Sequence, residues 1–228
     1  MTYTLHIGDR AFSSWSLRGW LMFEKFAIPF KTRMVGIYSG TKDRDLAGLA
    51  PARLVPAMVT PDGHVIGDTL AMAETLAERH PDAGLWPADP AARGLARWLA
   101  AEMHSGFAGL RAACPMQLMR VYEGFEPPPP VLNDLARIEE LWALARSRHG
   151  ADGPWLFGSY TLADVFYAPV SARITGYGLP VGDKAVAYVA AHMGDPAFSR
   201  WRDQALTVRY DPEPYRLDLS WRDWPQKG

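Results

Sequence analysis

The stretch Arg53-Leu54-Val55-Pro56-Ala57-Met58-Val59-Thr60-Pro61-Asp62-Gly63-His64-Val65-Ile66-Gly67-Asp68-Thr69-Leu70 decides the fold. Pro61-Asp62-Gly63 is a turn signal between two short apolar runs, Ala57–Val59 and Val65–Ile66, which are expected to pair as a hairpin. Val55-Pro56 leads into the first run. Proline cannot donate to a strand ladder, so it belongs at an edge or a sharp bend. A cis Val55–Pro56 bond would turn the Val55 backbone outward and leave its N–H and C=O free for a peptide-like ligand. Asp68 and Thr69 follow where Leu70, Ala73, Leu76 and Ala77 begin a helical stripe. A hydroxyl and unpaired N–H groups at a helix start make a natural carboxylate site.

Working outward, Tyr3 to Ile7 is a short strand-like run, Leu17 to Phe26 is helical in pattern, and Phe30 to Val35 alternates as a strand. Residues 36–53 are polar and glycine-containing and suggest a loop or irregular helix. Thr69 to Arg79 closes the unit as a helix. The order is β-α-β-loop-β-β-α over residues 1–81. His80-Pro81 to Pro90 is proline-rich, and 82–90 is expected to be a linker. Residues 91–228 are expected to form an all-helical domain with an extended tail. Asp89 to Cys114 has a long helical pattern. Pro127 to Pro130 is expected to be a loop, and Val131 to His149 a helix. Thr161–Thr175, Lys184–His192 and Ala197–Leu206 supply shorter helices. Thr161 and Asp164 are spaced as a capping box.

The chain has 228 residues, 48% of them apolar and 12% aromatic, with a net charge of −1. That balance gives no electrostatic case for nucleic acid or an acidic membrane surface. No apolar run is long enough to cross a bilayer, and the first residues lack a secretory pattern, so a cytoplasmic protein is expected. Cys114 is the only cysteine, which excludes an internal disulfide; it reads as a core residue. The histidines lack metal-ligand spacing, and no metal is expected.

Phe12-Ser13-Ser14-Trp15-Ser16-Leu17-Arg18 crowds three hydroxyls at the first helix start. One suffices as N-cap. Another could donate to a thiolate, which the helix dipole also favours, lowering a thiol pKa from about 8.5. In this order and spacing the pieces resemble the glutathione S-transferase family, in its serine-type bacterial form with some zeta-like loop character. The N-terminal unit resembles its thioredoxin-like domain, and Leu85-Trp86-Pro87 its linker. The C-terminal half resembles its helical domain.

The resemblance implies a glutathione transferase that uses glutathione as co-substrate against an electrophilic small molecule. Ser13 is implied as the activating hydroxyl, with Ser14 as the alternative and Ser16 as the cap. Val55 and Pro56 are implied to hold the cysteinyl backbone of glutathione, and Asp68 and Thr69 its glutamyl end. Met103, Phe107 and Tyr177 are candidates for the electrophile pocket, although core packing is the more ordinary role for Met103 and Phe107. Arg18 reads as structural. Family members pair as homodimers. Two other activities are open. One is a zeta-type isomerase of maleyl compounds. Against it, Trp15 stands where that class has cysteine, and Gly176 where it has an arginine. The other is a non-catalytic binding module, against which the intact serine loop and Asp-Thr pair both count.

Overall fold

The computed structural model describes residues 2–150, 153–213 and 215–224. A four-stranded sheet has the order β2-β1-β3-β4. Strand β1 (Tyr3–Ile7) pairs in parallel with β2 (Phe30–Met34) and antiparallel with β3 (Ala57–Val59), which turns into β4 (Val65–Ile66). The parallel pair requires a crossover, supplied by α1 (Ser14–Glu24). Helix α3 (Thr69–Arg79) packs with α1, and a short helix α2 (Lys42–Leu46) lies in the loop before β3. Leu5, Ile7, Leu17, Leu21, Met58 and Leu76 are each no more than 1% exposed and fill the interior between sheet and helices. The α1 helix lies so close to Pro56 that a Cβ on Gly19 would come 2.9 Å from its ring. That approach explains glycine inside a helix, where it otherwise costs about 1 kcal/mol.

The second half is helical among the described residues, apart from a small two-stranded antiparallel sheet of β5 (Val121–Tyr122) and β6 (Trp221–Arg222). Its axis is α7 (Leu162–Tyr177), buried along nearly its whole length. Against it pack α4 (Pro90–Ser105) and α8 (Asp183–Met193); α6 (Pro129–His149) lies against α4 and α8 with α5 (Ala108–Ala113) beside it, and α9 (Pro196–Ala205) lies against α8 and α1. Thr161 and Asp164 form the expected capping box. Asp164 accepts from the Thr161 N–H (2.8 Å), the Leu156 N–H (3.1 Å) and the Tyr188 hydroxyl (2.8 Å).

The two halves share one core. Trp20 of α1 meets Trp201 of α9 at 5.4 Å between ring centroids, and α1 packs along α7. Lys25, at the end of α1, pairs with Asp195, which caps α9. The Leu162 N–H at the start of α7 donates to the Leu85 carbonyl of the connecting segment.

Two elements differ from the expected pattern. The helix expected to run from Asp89 to Cys114 is broken. Gly106 is extended and Phe107 adopts a left-handed conformation (φ 59°), so α4 and α5 are separate helices. A Cβ at Gly106 would lie 2.7 Å from the Glu102 carbonyl oxygen, so the chain can leave α4 in this way only at glycine. Asp134 then accepts the Leu110 N–H (2.8 Å), supplying a side-chain acceptor that Phe107 lacks. The proline run is also not wholly loop, because α6 starts at Pro129. Prolines fit a first helical turn, whose N–H groups have no intrahelical acceptor.

Candidate active site

A cleft of about 650 Å³ opens between the N-terminal sheet edge and the helical half. Ser13, Ser14, Val55, Pro56, Asp68 and Thr69 all line it, brought together from three separate stretches of sequence. The Val55–Pro56 peptide is cis. Neither the N–H nor the C=O of Val55 is engaged by another backbone group among the described residues.

The three serines divide their work differently from the expectation. Ser13, not Ser16, is the N-cap of α1: its Oγ accepts the Ser16 N–H (3.2 Å). Its own proton is directed to Ser16 Oγ (2.8 Å). Ser16 is fully buried and also accepts the Gly8 N–H (2.9 Å), tying the helix start to the end of β1. Ser14, at the first helical position, has only the Arg173 guanidinium near its Oγ, at 3.5 Å. An arginine donates and does not accept, so the Ser14 proton is free to point into the cleft.

Asp68 caps α3 with one carboxylate oxygen, which accepts the N–H groups of Leu70 (2.8 Å) and Ala71 (3.0 Å). Its other oxygen lies 3.3 Å from His104 Nε2. Thr69 is the first residue of the helix and is 1% exposed.

Three arginines that sequence reasoning did not place in the site converge on the cleft: Arg18 from α1, Arg111 from α5 and Arg173 from α7. The Trp15 ring is flanked by Arg18 at 4.8 Å and Arg111 at 5.1 Å. Arg18 is 2% exposed, and its Nε and Nη1 have no hydrogen-bond partner among the described residues. Burial, with Arg111 and Arg173 nearby, holds its pKa well below the usual arginine value. Burial and Arg111 bring Arg173 down to about 10. Arg173 is held in place by donating to the carbonyls of Cys114 (2.8 Å) and Pro169 (3.2 Å). None of the three lies within ion-pair distance of a carboxylate among the described residues. Such a group of cations, two of them buried and Arg111 half-buried, is destabilising by itself and marks a place for an anion. One signal was available in the sequence: Arg173 is a charged residue in a helix otherwise built for burial.

Met103, Phe107 and Tyr177 do not line the cleft. They are 0%, 7% and 2% exposed and belong to the core, and the Tyr177 hydroxyl donates to the Pro115 carbonyl (2.7 Å). The far wall is formed instead by Tyr38, Ala112, Pro115, Met116 and Tyr215. Tyr215 belongs to the C-terminal tail, which is held by the Tyr122 hydroxyl donating to the Tyr215 carbonyl (2.9 Å) and by the Arg120–Asp211 ion pair (2.9 Å). Cys114 is buried, and desolvation pushes its thiol up to about 12, far from a nucleophile's range. The described residues contain no group of metal-ligating side chains and no helix long and apolar enough to cross a membrane.

Comparison with known proteins agrees with this geometry. Residues 12–79 match the family described as glutathione S-transferase, N-terminal domain. A probable maleylacetoacetate isomerase of Caenorhabditis elegans is 35% identical over 114 residues, 50% of this chain and 52% of that protein. The maleylacetoacetate isomerase of Dictyostelium discoideum is 28% identical over 116 residues, with the same coverage of both chains. The chain thus spans about half the length of these curated relatives. A glutathione transferase homologue from Burkholderia gl BGR1, solved with bound glutathione, superimposes with a TM-score of 0.66 at 24% identity, over 92% of this chain and 100% of that one. Glutathione transferase Omega 3C of Trametes versicolor gives 0.68 at 20% identity, over 95% and 92%. Residues 12–79 thus match a glutathione S-transferase N-terminal domain, and the chain shares the fold of these solved structures along most of its length.

Proposed function

We propose that the protein is a glutathione-dependent transferase that acts on an anionic electrophile. The observation that carries the reading is the group of three arginines without a carboxylate partner, Arg18 and Arg173 buried and Arg111 half-buried, that line the cleft with a free serine hydroxyl. Glutathione is a peptide with an ammonium group, two carboxylates and a thiol, and the residues present fit it. The unengaged N–H and C=O of Val55 match a peptide backbone. The free oxygen of Asp68 matches the ammonium, and the Thr69 hydroxyl at the start of α3 matches a carboxylate. Bound there, glutathione supplies a thiolate that forms a sulfur–carbon bond to the acceptor.

In this reading the chain's own groups do three things. Ser14 donates to the sulfur and, with the N-terminus of α1, holds it ionised at neutral pH. Arg173, 3.5 Å from Ser14 Oγ, attracts the acceptor's carboxylate and sets the electrophilic carbon against the sulfur. The aromatic wall of Tyr38 and Tyr215 excludes water. The thiolate's electron pair becomes the new bond, and the displaced pair leaves with the departing group. The same reading takes the protein to be a cytoplasmic homodimer, on the resemblance alone.

A second reading, the maleyl isomerase, is favoured by Arg173. That residue supplies a cation to the cleft from one turn before Gly176, the position where the zeta class has its arginine. Reversible addition at a carbon–carbon double bond would leave a single bond free to rotate before elimination. The deciding experiment follows glutathione consumption with a neutral aryl halide, an anionic aryl halide and a cis-enedioate. Consumption with the anionic halide supports transfer. Loss of the cis-enedioate without net glutathione consumption supports isomerisation. Efficient turnover of the neutral halide alone would overturn the assignment of the arginines.

A further inference from the structure

Beyond the arginines, one titratable side chain in the cleft region has no part in the chemistry above. His104 lies near the end of α4, in the helical half, yet its ring meets the start of α3 in the other half. Its Nε2 is 3.3 Å from Asp68 Oδ2 and its Nδ1 3.5 Å from Thr69 Oγ1. The ring stands edge-on to Trp15 at 5.2 Å and tilted to Phe166 at 6.2 Å. The side chain is 23% exposed.

The two oxygens of Asp68 have separate duties. Oδ1 is committed to the N–H groups of Leu70 and Ala71. Oδ2 alone is left to accept from a ligand, and His104 is the group beside it. We propose that His104 is a positioning residue of the glutamyl subsite, and that its protonation weakens glutathione binding. This rests on the reading of Asp68 and Thr69 as the glutamyl site. Neutral His104 leaves the charge on Oδ2 for the ligand's ammonium. Protonated His104 places a second cation at the same oxygen and neutralises it before the ligand arrives.

The charged groups facing His104 come from each element packed there: Asp68 from α3, Arg18 from α1 and Arg111 from α5. Burial is the largest influence and lowers the His104 pKa; Arg18 and Arg111 lower it further, against Asp68. The imidazole is therefore neutral at pH 7 and takes up its proton below the ordinary value of 6.5. Histidine is the side chain whose charge changes in that range, and with the sulfur methylated no group of glutathione titrates between pH 5 and 7.

The test is calorimetric titration of the intact protein with S-methylglutathione, whose sulfur cannot ionise, from about pH 5 to 7.5, for wild type, His104→Gln and Asp68→Asn. Wild type should bind about tenfold more weakly at the acid end, the size of a one-unit linkage between binding and protonation. His104→Gln, which keeps a donor near Asp68 without a titrating charge, should give a nearly level profile. Asp68→Asn should bind weakly at every pH. Parallel profiles for wild type and His104→Gln, or a wild-type affinity that rises with acid, overturn the role of His104. Unaltered binding by Asp68→Asn overturns the placement of the glutamyl site beneath it.

Discussion

The division of labour among the serines can be tested sharply. Ser14→Ala removes the hydroxyl whose proton is free, and Ser13→Ala removes the one whose proton is directed to Ser16. Hydrogen bonds to a charged partner contribute about 1.5–3 kcal/mol, and one pKa unit corresponds to about 1.4 kcal/mol. Losing the Ser14 donor should therefore raise the pKa of the bound thiol by about 1–2 units. Thiols at helix N-termini beside cations reach about 3.5–7.5. A wild-type value near about 6.5 gives roughly three-quarters thiolate at pH 7, and a rise of about 1.5 units leaves roughly one-tenth. The assay is a pH titration of the ultraviolet thiolate band of bound glutathione, with the free peptide subtracted. Ser13→Ala should leave that titration within about half a unit while costing about 1 kcal/mol of stability through the lost cap. If Ser13→Ala moves the thiol and Ser14→Ala does not, the Ser13 proton turns from Ser16 to the ligand, and the hydrogen-bond argument fails.

Two further outcomes follow from buried groups. Arg173→Gln should lower kcat/KM for an anionic acceptor by about ten- to a hundredfold, the worth of one charge-assisted contact. Turnover of a neutral acceptor should change by less than about threefold; equal losses would mean that the substitution has disturbed the packing around the Cys114 carbonyl instead. For Asp164, burial raises the carboxyl pKa to about 6 in the folded protein, above its unfolded value. The protonated form is thus favoured by folding: its contribution is complete below about pH 4 and is lost as pH rises through 6. The loss is about 2 kcal/mol between about pH 4.5 and 7.5. Asp164→Asn, neutral throughout, should flatten the urea-unfolding stability profile by that amount, and profiles of equal slope would refute the assignment.

How far the site could be read from sequence depended on whether a residue's role is local. The Asp68 cap and the Thr161–Asp164 capping box are set within four residues, and the boundaries of α3 follow from its own stripe. The turn at Pro61-Asp62-Gly63 and the hairpin it closes are equally local. The break at Phe107 is not: Gly106 is a lone glycine in a continuous helical pattern, and the acceptor that serves α5 is Asp134, on another helix. The proline run misleads because the rule against proline in helices does not reach the first turn. Ser13, Ser14 and Ser16 look equivalent in sequence, and the Gly8 N–H that buries Ser16 lies on the far side of the loop. Arg111 and Tyr215 reach the cleft only because the two halves pack face to face.

That packing also explains why the cations gather where they do. Arg18 sits on the thiol-side helix, but Arg111 and Arg173 come from the helical half, so neither half alone concentrates charge at the cleft. Trp15 lies between two guanidiniums, and its ring face offsets part of the cost of desolvating them. The remainder is unpaid in the free protein, because Arg18 Nε and Nη1 are buried without an acceptor. A ligand anion would meet donors already stripped of water and fixed in position, so little reorganisation would oppose its binding. The same cations would favour a thiolate over a thiol at Ser14, because a positive charge nearby stabilises the ionised form of an acid. A protein selecting only for stability would replace Arg173 with an apolar residue in this helix. Its place beside the free Ser14 proton ties acceptor binding and thiol ionisation to the same charge.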